Sequence, residues 1–366
     1  MTITLQALRR SIGTRTQQPF FDLFGEVARE ATGGSTTTLV DTAGLLQPND
    51  YWNGQTLYNV DTGVSRYIAD FVQSSKTLTV LEPFPNAIAA GVDYEIWSTF
   101  TPATVMSAIN AALRDAWPFF FDTVEARVVI QNNVGTSYSL SGLAVAPRQI
   151  NAVAIEIMAS SVTGQVTNVV AQNRLKDTNH TFVAADVGKE IRIYEGTSSG
   201  DIRTISSIVD SNTVEVSVNF TATLSTTSKY RMVNVNEQTH GYTTIREWRP
   251  NSYNNPTAIR LGSHPFGLEG FVMRLTYVAE YPALTVEAST TNAPQEYVEL
   301  AALARLFSIK LTGAPASEVR NWGAAYQSLT EQLASYTAKN RYSQPNTTFR
   351  APERGISRIG AEYPFR

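Results

Sequence analysis

The fold is decided by five short runs between residues 36 and 97: TTLVDT (37–42), DYWNGQTLYNV (50–60), TGVSRYIADF (62–71), KTLTVLEPFP (76–85) and DYEIW (93–97). The same order returns between residues 173 and 233, as NRLKDT (173–178), ADVGKEIRIYE (185–195), SGDIRTISSI (199–208), NTVEVSVNFT (212–221) and KYRMV (229–233). The runs are rich in Val, Ile, Tyr and Thr and are separated by turn residues, which indicates antiparallel strands. Each copy is predicted to form a small antiparallel β-barrel or sandwich.

Equivalent residues support a duplication of this module. The pairs are Gly54 with Gly188, Gly63 with Gly200, Arg66 with Arg203, Ile68 with Ile205, Phe84 with Phe220 and Tyr94 with Tyr230. From Arg66 to Tyr94 there are 28 residues, and the equivalent spacing in the second copy is 27. Chance similarity between two Thr-rich segments is the alternative. Arg66 and Arg203 are predicted to have a structural role, such as pairing with an acidic neighbour across strands, with ligand binding as the alternative.

Helical periodicity marks three segments outside the two modules. Thr101 can cap a helix over 102–117, and Pro102 fits its first position. A second helix follows Pro294 and ends at Gly313, and a third is predicted over 316–341. An aromatic cluster after the first helix is predicted to pack in the core, with a subunit contact as the alternative. Its members are Trp117, Phe119, Phe120 and Phe121.

Together these signals predict an α+β fold. It would contain a three-helix core with β-strands, two similar small antiparallel β modules, one of them inserted, and an extended C-terminal arm. The predicted segments are an N-terminal segment (1–30), the first β module (31–100), a helix and strands of the core (101–160), the inserted second β module (161–236), strands and long helices that complete the core (237–342) and the arm (343–366).

Composition indicates a globular, non-secreted protein of two or three domains. The chain has 366 residues, 43% hydrophobic and 17% charged, against a typical charged share of about 25%. Its 29 basic and 32 acidic side chains give a formal charge of −3, so there is no overall electrostatic case for wrapping nucleic acid. Cysteine is absent, which excludes disulfides, Cys-based zinc sites and thiol catalysis. No signal peptide or membrane span is expected.

No catalytic or cofactor motif is found in the sequence. The three histidines, His180, His240 and His264, stand in turn-like contexts without a second ligand type at metal spacing. Glu296 and Glu299 could share a helix face, but no Glu-x-x-His partner appears, so exposed acids near a helix N-terminus are the better account. We therefore expect no enzyme activity, no cofactor and no metal. A carboxylate pair for glycoside cleavage is neither indicated nor excluded.

The last residues differ from the rest of the chain. From Lys339 onward there are six basic and two acidic side chains, with Pro345, Pro352 and Pro364 and no apolar periodicity. Such a segment cannot build its own core. We expect an arm that lies over a neighbouring subunit, with DNA contact or an unstructured tail as alternatives. The candidate subunit-interface residues are Phe349, Arg350, Arg354, Arg358 and Phe365 in the arm, and Trp322 and Tyr326 in the last helix.

Several stretches resemble neck or head-to-tail connector proteins of tailed bacteriophages. They are ATGGSTTTLVD (31–41), NDYWNGQTLY (49–58), PFPNAIAAGVDYEIW (83–97), AINAALRDAWP (108–118), SYSLSGLAVAPRQI (137–150), TYVAEYPAL (276–284) and PQEYVELAALARLF (294–307). The second β copy and the long basic arm depart from the family pattern.

The resemblance implies a structural virion protein without catalytic residues. Such adaptors form rings, usually dodecamers, that join the portal at the capsid vertex to the tail and let DNA pass through the lumen without sequence-specific binding. The implied partners are further copies of the chain, the portal protein and tail or neck proteins, with no membrane, and the protein would be made in the bacterial host cytoplasm. The alternatives are a receptor- or glycan-binding tail appendage protein and a polysaccharide-degrading virion enzyme.

Overall fold

The computed structural model describes residues 2–15, 24–131, 136–157, 161–236, 241–245, 248–252, 255–262 and 267–342. Four helices lie in these ranges: α1 (Leu5–Arg15), α2 (Pro102–Asp115), α3 (Gln295–Gly313) and α4 (Ala316–Asn340). The strands are β1 (Ile3–Thr4), β2 (Phe24–Glu30), β3 (Gly33–Gly34), β4 (Thr38–Val40), β5 (Thr56–Asn59), β6 (Val64–Val72), β7 (Thr77–Val80), β8 (Asp93–Trp97), β9 (Asp122–Val129), β10 (Ser137–Ser139), β11 (Pro147–Ile157), β12 (Ser161–Gln165), β13 (Arg174–Lys176), β14 (Glu190–Glu195), β15 (Ile202–Asp210), β16 (Thr213–Val216), β17 (Lys229–Val233), β18 (Gly241–Thr244), β19 (Trp248–Pro250), β20 (Ala258–Leu261), β21 (Val272–Ala279) and β22 (Thr290–Thr291).

The fold is mainly β. Of the described residues, 23% are helical and 35% lie in strands, which form five sheets. The prediction of an α+β fold around a three-helix core is therefore wrong. Helical periodicity is easy to see in a sequence, whereas short strands each give a weak signal, so the sequence pattern overstates the helical part of the fold. The sequence analysis does not predict α1, although Thr4 caps this helix by accepting a hydrogen bond from the amide of Ala7 at 3.1 Å.

The chain divides into two compact units. Unit 1 comprises the described residues up to Asp122 together with those from Glu280 to 342, and unit 2 comprises those of Thr123–Ala279. Each unit contains a β module with a hydrophobic core of its own.

Unit 1 combines a β module with a layer of helices. The seven-stranded sheet has the order β2-β8-β5-β6-β7-β4-β3, and Leu57, Phe71 and Ile96 lie in its core. The helices pack around Ile109 and Val298, both fully buried. Thr101 caps α2 by accepting a hydrogen bond from the amide of Thr104, as the sequence predicts. A two-stranded sheet of β1 and β22 connects the start of the chain to the segment before α3.

Unit 2 is built from strands apart from one short turn of 3₁₀ helix among its described residues. A four-stranded sheet has the order β18-β11-β21-β9, and a three-stranded sheet has the order β10-β20-β19. Ile150, Met273 and Tyr277 lie in the core between them. The second β module forms a six-stranded sheet, β12-β17-β14-β15-β16-β13, with a separate core that contains Ile191, Val214 and Phe220.

The two β modules repeat the same internal contacts. In module 1, the strands β2–β8, the hydroxyl of Tyr94 donates to the Asp41 carboxylate at 2.7 Å. In module 2, the strands β12–β17, the hydroxyl of Tyr230 donates to Asp177 at 2.9 Å. Burial raises the pKa of both tyrosines, so the phenols are protonated and can donate these bonds. The predicted equivalence of Tyr94 and Tyr230 is confirmed.

The paired glycines and arginines also have equivalent roles. Gly54 and Gly188 adopt φ of 80° and 89°, which disfavours any residue with a Cβ. Arg66 donates through Nε to a main-chain carbonyl at 3.0 Å and Arg203 does so at 2.8 Å. Each guanidinium lies over the phenylalanine at the same repeat position. Their structural role is confirmed, although the main partners are carbonyl oxygens and the acid that contacts Arg203, Asp201, lies on the same stretch of chain.

Candidate assembly surface

The helices α3 and α4 follow one another with only Ala314 and Pro315 between them. The rings of Phe307 and Trp322 meet at 5.2 Å in a T-shaped contact. Trp322 is 6% exposed, and its indole nitrogen donates to Glu318 at 3.2 Å. Trp322, a predicted interface residue, therefore packs inside this helix pair, within its own chain.

The rest of α4 is partly buried along one stripe and exposed on its outer face. From Ser317 to Asn340 every side chain except Trp322 is exposed or only partly buried, whereas α3 buries residues from Tyr297 to Phe307. Tyr326, the second predicted interface residue on this helix, is partly buried against the helical core. The outer face carries mostly Ala, Ser, Asn and Gln, together with the charged Glu318, Arg320, Glu331 and Lys339. A long helix that packs along one stripe leaves the opposite face available to a partner.

The predicted interface residues of the arm lie outside the described residues. These are Phe349, Arg350, Arg354, Arg358 and Phe365. The described chain stops at Tyr342, directly after α4, so α4 leads into this arm.

An aromatic cluster lies where α4 ends. Phe120 is fully buried, and its ring lies 4.8 Å from that of Tyr297, 5.3 Å from that of Tyr342 and 6.1 Å from that of Tyr336. The prediction that Phe120 packs in the core is confirmed. Phe119, its neighbour in the predicted cluster, is 41% exposed.

A cavity of about 330 Å³ opens beside this cluster. Its lining comes from four separate segments: Ile3, Phe120, Asn292 to Gln295, and Tyr336, Asn340 and Tyr342. The lining includes aromatic rings and side-chain amides, so the walls offer both apolar surface and hydrogen-bonding groups. Burial, and then the nearby Glu296 carboxylate, raise the pKa of Tyr336. Burial also raises the pKa of Tyr297 to about 12, so both phenols are neutral near pH 7.

The two acids at the start of α3 have different environments. Glu296 is exposed, as predicted. Glu299 is 1% exposed and accepts hydrogen bonds from the Ser11 hydroxyl and the Gln295 amide, both at 2.6 Å, so the prediction that it is exposed is wrong. The cause is α1, which covers this side of α3 and supplies Ser11.

A buried ion network ties α1 to module 1. Arg9 is fully buried and donates to Glu95 of β8 at 2.9 Å and to Glu287 at 2.6 Å. Burial lowers the pKa of Arg9, but the hydrogen bonds and charges of the two carboxylates outweigh burial and hold the pKa above its ordinary value. This network joins the β module of unit 1 to its helices.

A second buried network ties module 2 to the four-stranded sheet of unit 2. Arg192 of β14 is fully buried and binds Glu156 of β11 through both terminal nitrogens and Glu190 at 2.9 Å. Arg127 of β9 closes the group by donating to Glu190 at 2.7 Å. Burial raises the pKa of Glu190, but the two arginines outweigh that effect and lower it overall. Both networks were missed from the sequence.

Two other kinds of site are absent from the described ranges. No three His, Asp or Glu side chains there are grouped so that they could hold a metal ion. No helix there has both the length and the apolar character needed to cross a bilayer.

No protein-family model matches the chain, and no curated protein sequence matches it significantly.

Proposed function

We propose that the chain is a structural virion protein of a tailed bacteriophage, which forms a ring in the neck between portal and tail and lets DNA pass. The observation that supports this most is α4, a 25-residue helix that packs along one stripe only and leads directly into the basic arm. The sequence resemblance to connector proteins points to the same class. Neither observation requires a catalytic group.

A ring repeats one heterologous contact by rotation until it closes, so each subunit needs two complementary surfaces. The outer face of α4 is suited to helix packing, because Ala324, Ser328 and Ser335 are small and exposed. A stable interface buries about 800 Å² on each partner, and apolar burial contributes roughly 25 cal/mol per Å² against the entropy of association. The arm adds contact area beyond the helix.

The purified full-length chain tests this proposal by electron microscopy and light scattering. We expect a closed ring. Ser328→Arg should prevent ring formation and leave the circular dichroism spectrum unchanged, because the side chain is exposed on α4. Ser74→Arg, at an exposed turn of module 1, is the matched control and should still form rings.

Deletion of residues 343–366 should keep the fold and abolish joining to the next layer of the neck. A monomer that is absent from virions would contradict the proposal.

The alternative function, a receptor- or glycan-binding appendage, is favoured by one feature of module 1. Tyr67 and Leu81 are 55% and 69% exposed and adjacent, since the amide of Leu81 donates to the carbonyl of Tyr67. The equivalent pair in module 2, Thr204 and Ser217, makes the same main-chain bond with polar side chains. Because module 2 has the same main-chain bond with polar side chains, the exposed apolar side chains of module 1 are not required for the module to fold. Saturable binding to host cells that is lost in Tyr67→Ala would favour this function over a neck ring.

A further inference from the structure

The cavity beside Phe120 has the chemistry of a peptide site. Phe120, Tyr336 and Tyr342 supply aromatic walls, while Asn292 and Asn340 place amides at the opening. Amides can both donate to and accept from a peptide backbone. The volume of about 330 Å³ lies at the small end of the range for ligand sites, roughly 300–1,000 Å³. An aromatic side chain with its adjoining main chain is of suitable size.

The carboxylate of Glu296, beside the cavity, indicates that a bound peptide should carry a basic residue next to its aromatic residue. Glu296 is exposed and close enough to Tyr336 to raise the pKa of the phenol. A peptide with a basic residue next to its aromatic residue would place a cation beside this carboxylate, and Arg can also stack on tyrosine rings.

The arm contains two such pairs, Phe349-Arg350 and Phe365-Arg366. Phe349 lies seven residues beyond Tyr342, and Phe365 lies 23 residues beyond it. At about 3.5 Å per residue the chain can span at most roughly 25 Å to the first and roughly 80 Å to the second. Phe349 can therefore reach only sites close to its own α4, whereas Phe365 can reach a neighbouring copy.

The distance between copies decides which pair fits. A folded body of unit 1's size has a radius of gyration of roughly 16 Å. In two copies that lie side by side, equivalent atoms are therefore about 30–40 Å apart. Only the longer segment covers that distance. We propose that the Pro364-Phe365-Arg366 stretch of one copy binds in this cavity of the next copy, with the Phe365 ring against Phe120 and Tyr336 and the Arg366 guanidinium beside Glu296. The inference rests on the proposed ring and names how its subunits are joined.

Disulfide trapping tests the proposal directly, because the chain has no cysteine. Two full-length single variants, Asn292→Cys at the cavity opening and Phe365→Cys in the arm, are mixed under mild oxidation. A covalent pair containing one copy of each supports the proposal. Phe349→Cys replaces Phe365→Cys in the matched control and should trap at least tenfold less. A double variant that closes only within its own chain, or a control that traps equally well, overturns the proposal.

Measuring the association between copies tests the same proposal without disulfide formation. Phe365→Ala should weaken association between copies by about tenfold or more, the scale expected for removing one buried aromatic ring, whereas Phe349→Ala should change it less than about twofold. Glu296→Gln should weaken it less than Phe365→Ala. Rings that form normally with Phe365→Ala would overturn this inference and leave the neck function intact. A chain that is monomeric in every variant, including the unmodified one, would overturn both.

Discussion

Arg9 carries a full charge in a place that water does not reach. Its partners, Glu95 and Glu287, lie on separate parts of the chain, so the pair links elements that are distant in sequence. Glu95 is itself fully buried, and if Arg9 is removed its remaining charged partner is Arg10, one third exposed, beside the indole of Trp97. Breaking a buried pair by removing one partner is much more damaging than replacing both, because the remaining charge stays desolvated.

Arg9→Met should therefore lower the free energy of unfolding of unit 1 by about 3–5 kcal/mol, measured by urea denaturation. Arg305→Met is the matched control in the same helical layer. Arg305 lies 3.4 Å from Asp115, but both side chains are more than half exposed. Its loss should change stability by about 1 kcal/mol or less. Equal effects of the two substitutions would show that burial does not control the strength of these pairs.

At the scale of the element, Trp322 is the main anchor of α4. At 6% exposed it is the most deeply buried of the side chains described in this helix, and a partly buried stripe that includes Leu329 and Leu333 packs beside it. Trp322→Ala should cost about 3–5 kcal/mol and loosen α4, seen as faster hydrogen exchange along the helix. Tyr326→Ala, one turn further on and only partly buried against the same core, should speed exchange in α4 less. Slow exchange of α4 in the Trp322 variant would contradict this account.

The helices α2, α3 and α4 could be predicted from sequence because each has an apolar stripe and a clear start or stop. Gly313 ends α3 and Pro315 precedes α4, within one residue of the prediction. The helix α1 has a cap in Thr4, but it has only 11 residues and no acidic residue in its first turn, so its signal in the sequence is weaker. That one omission produced the error at Glu299, since an acid near a helix N-terminus looks exposed until the covering helix is known.

The cavity could not be predicted because its lining comes from segments far apart in the sequence, brought together by the β1–β22 pairing and the end of α4. The buried networks left a weak signal. Arg192 stands between Ile191 and Ile193 in a short strand, and strand alternation alone assigns such an arginine to the wet face. Arg192 is buried because the four-stranded sheet covers the side of β14 on which Arg192 lies. The sequence around β14 contains no pattern that indicates this second covering sheet.

At the scale of the whole molecule, each unit has two hydrophobic core clusters drawn from its own described residues. In each unit, a buried arginine network also links the β module to the other elements of that unit. Units with separate cores unfold separately unless an extensive interface couples them. Calorimetry of the full-length chain should therefore show two transitions.

The two networks identify which transition belongs to which unit. Arg192→Met should lower the transition of unit 2 by roughly 6–20 °C, because a loss of about 3–5 kcal/mol shifts a domain of this size by 2–4 °C per kcal/mol. Arg9→Met should move only the other transition, and the double variant should show both shifts unchanged, since distant sites add. Neither substitution touches the exposed face of α4, so the variants with shifted transitions should still assemble below their melting temperatures. A single transition that both substitutions lower would mean that the two units unfold as one cooperative block.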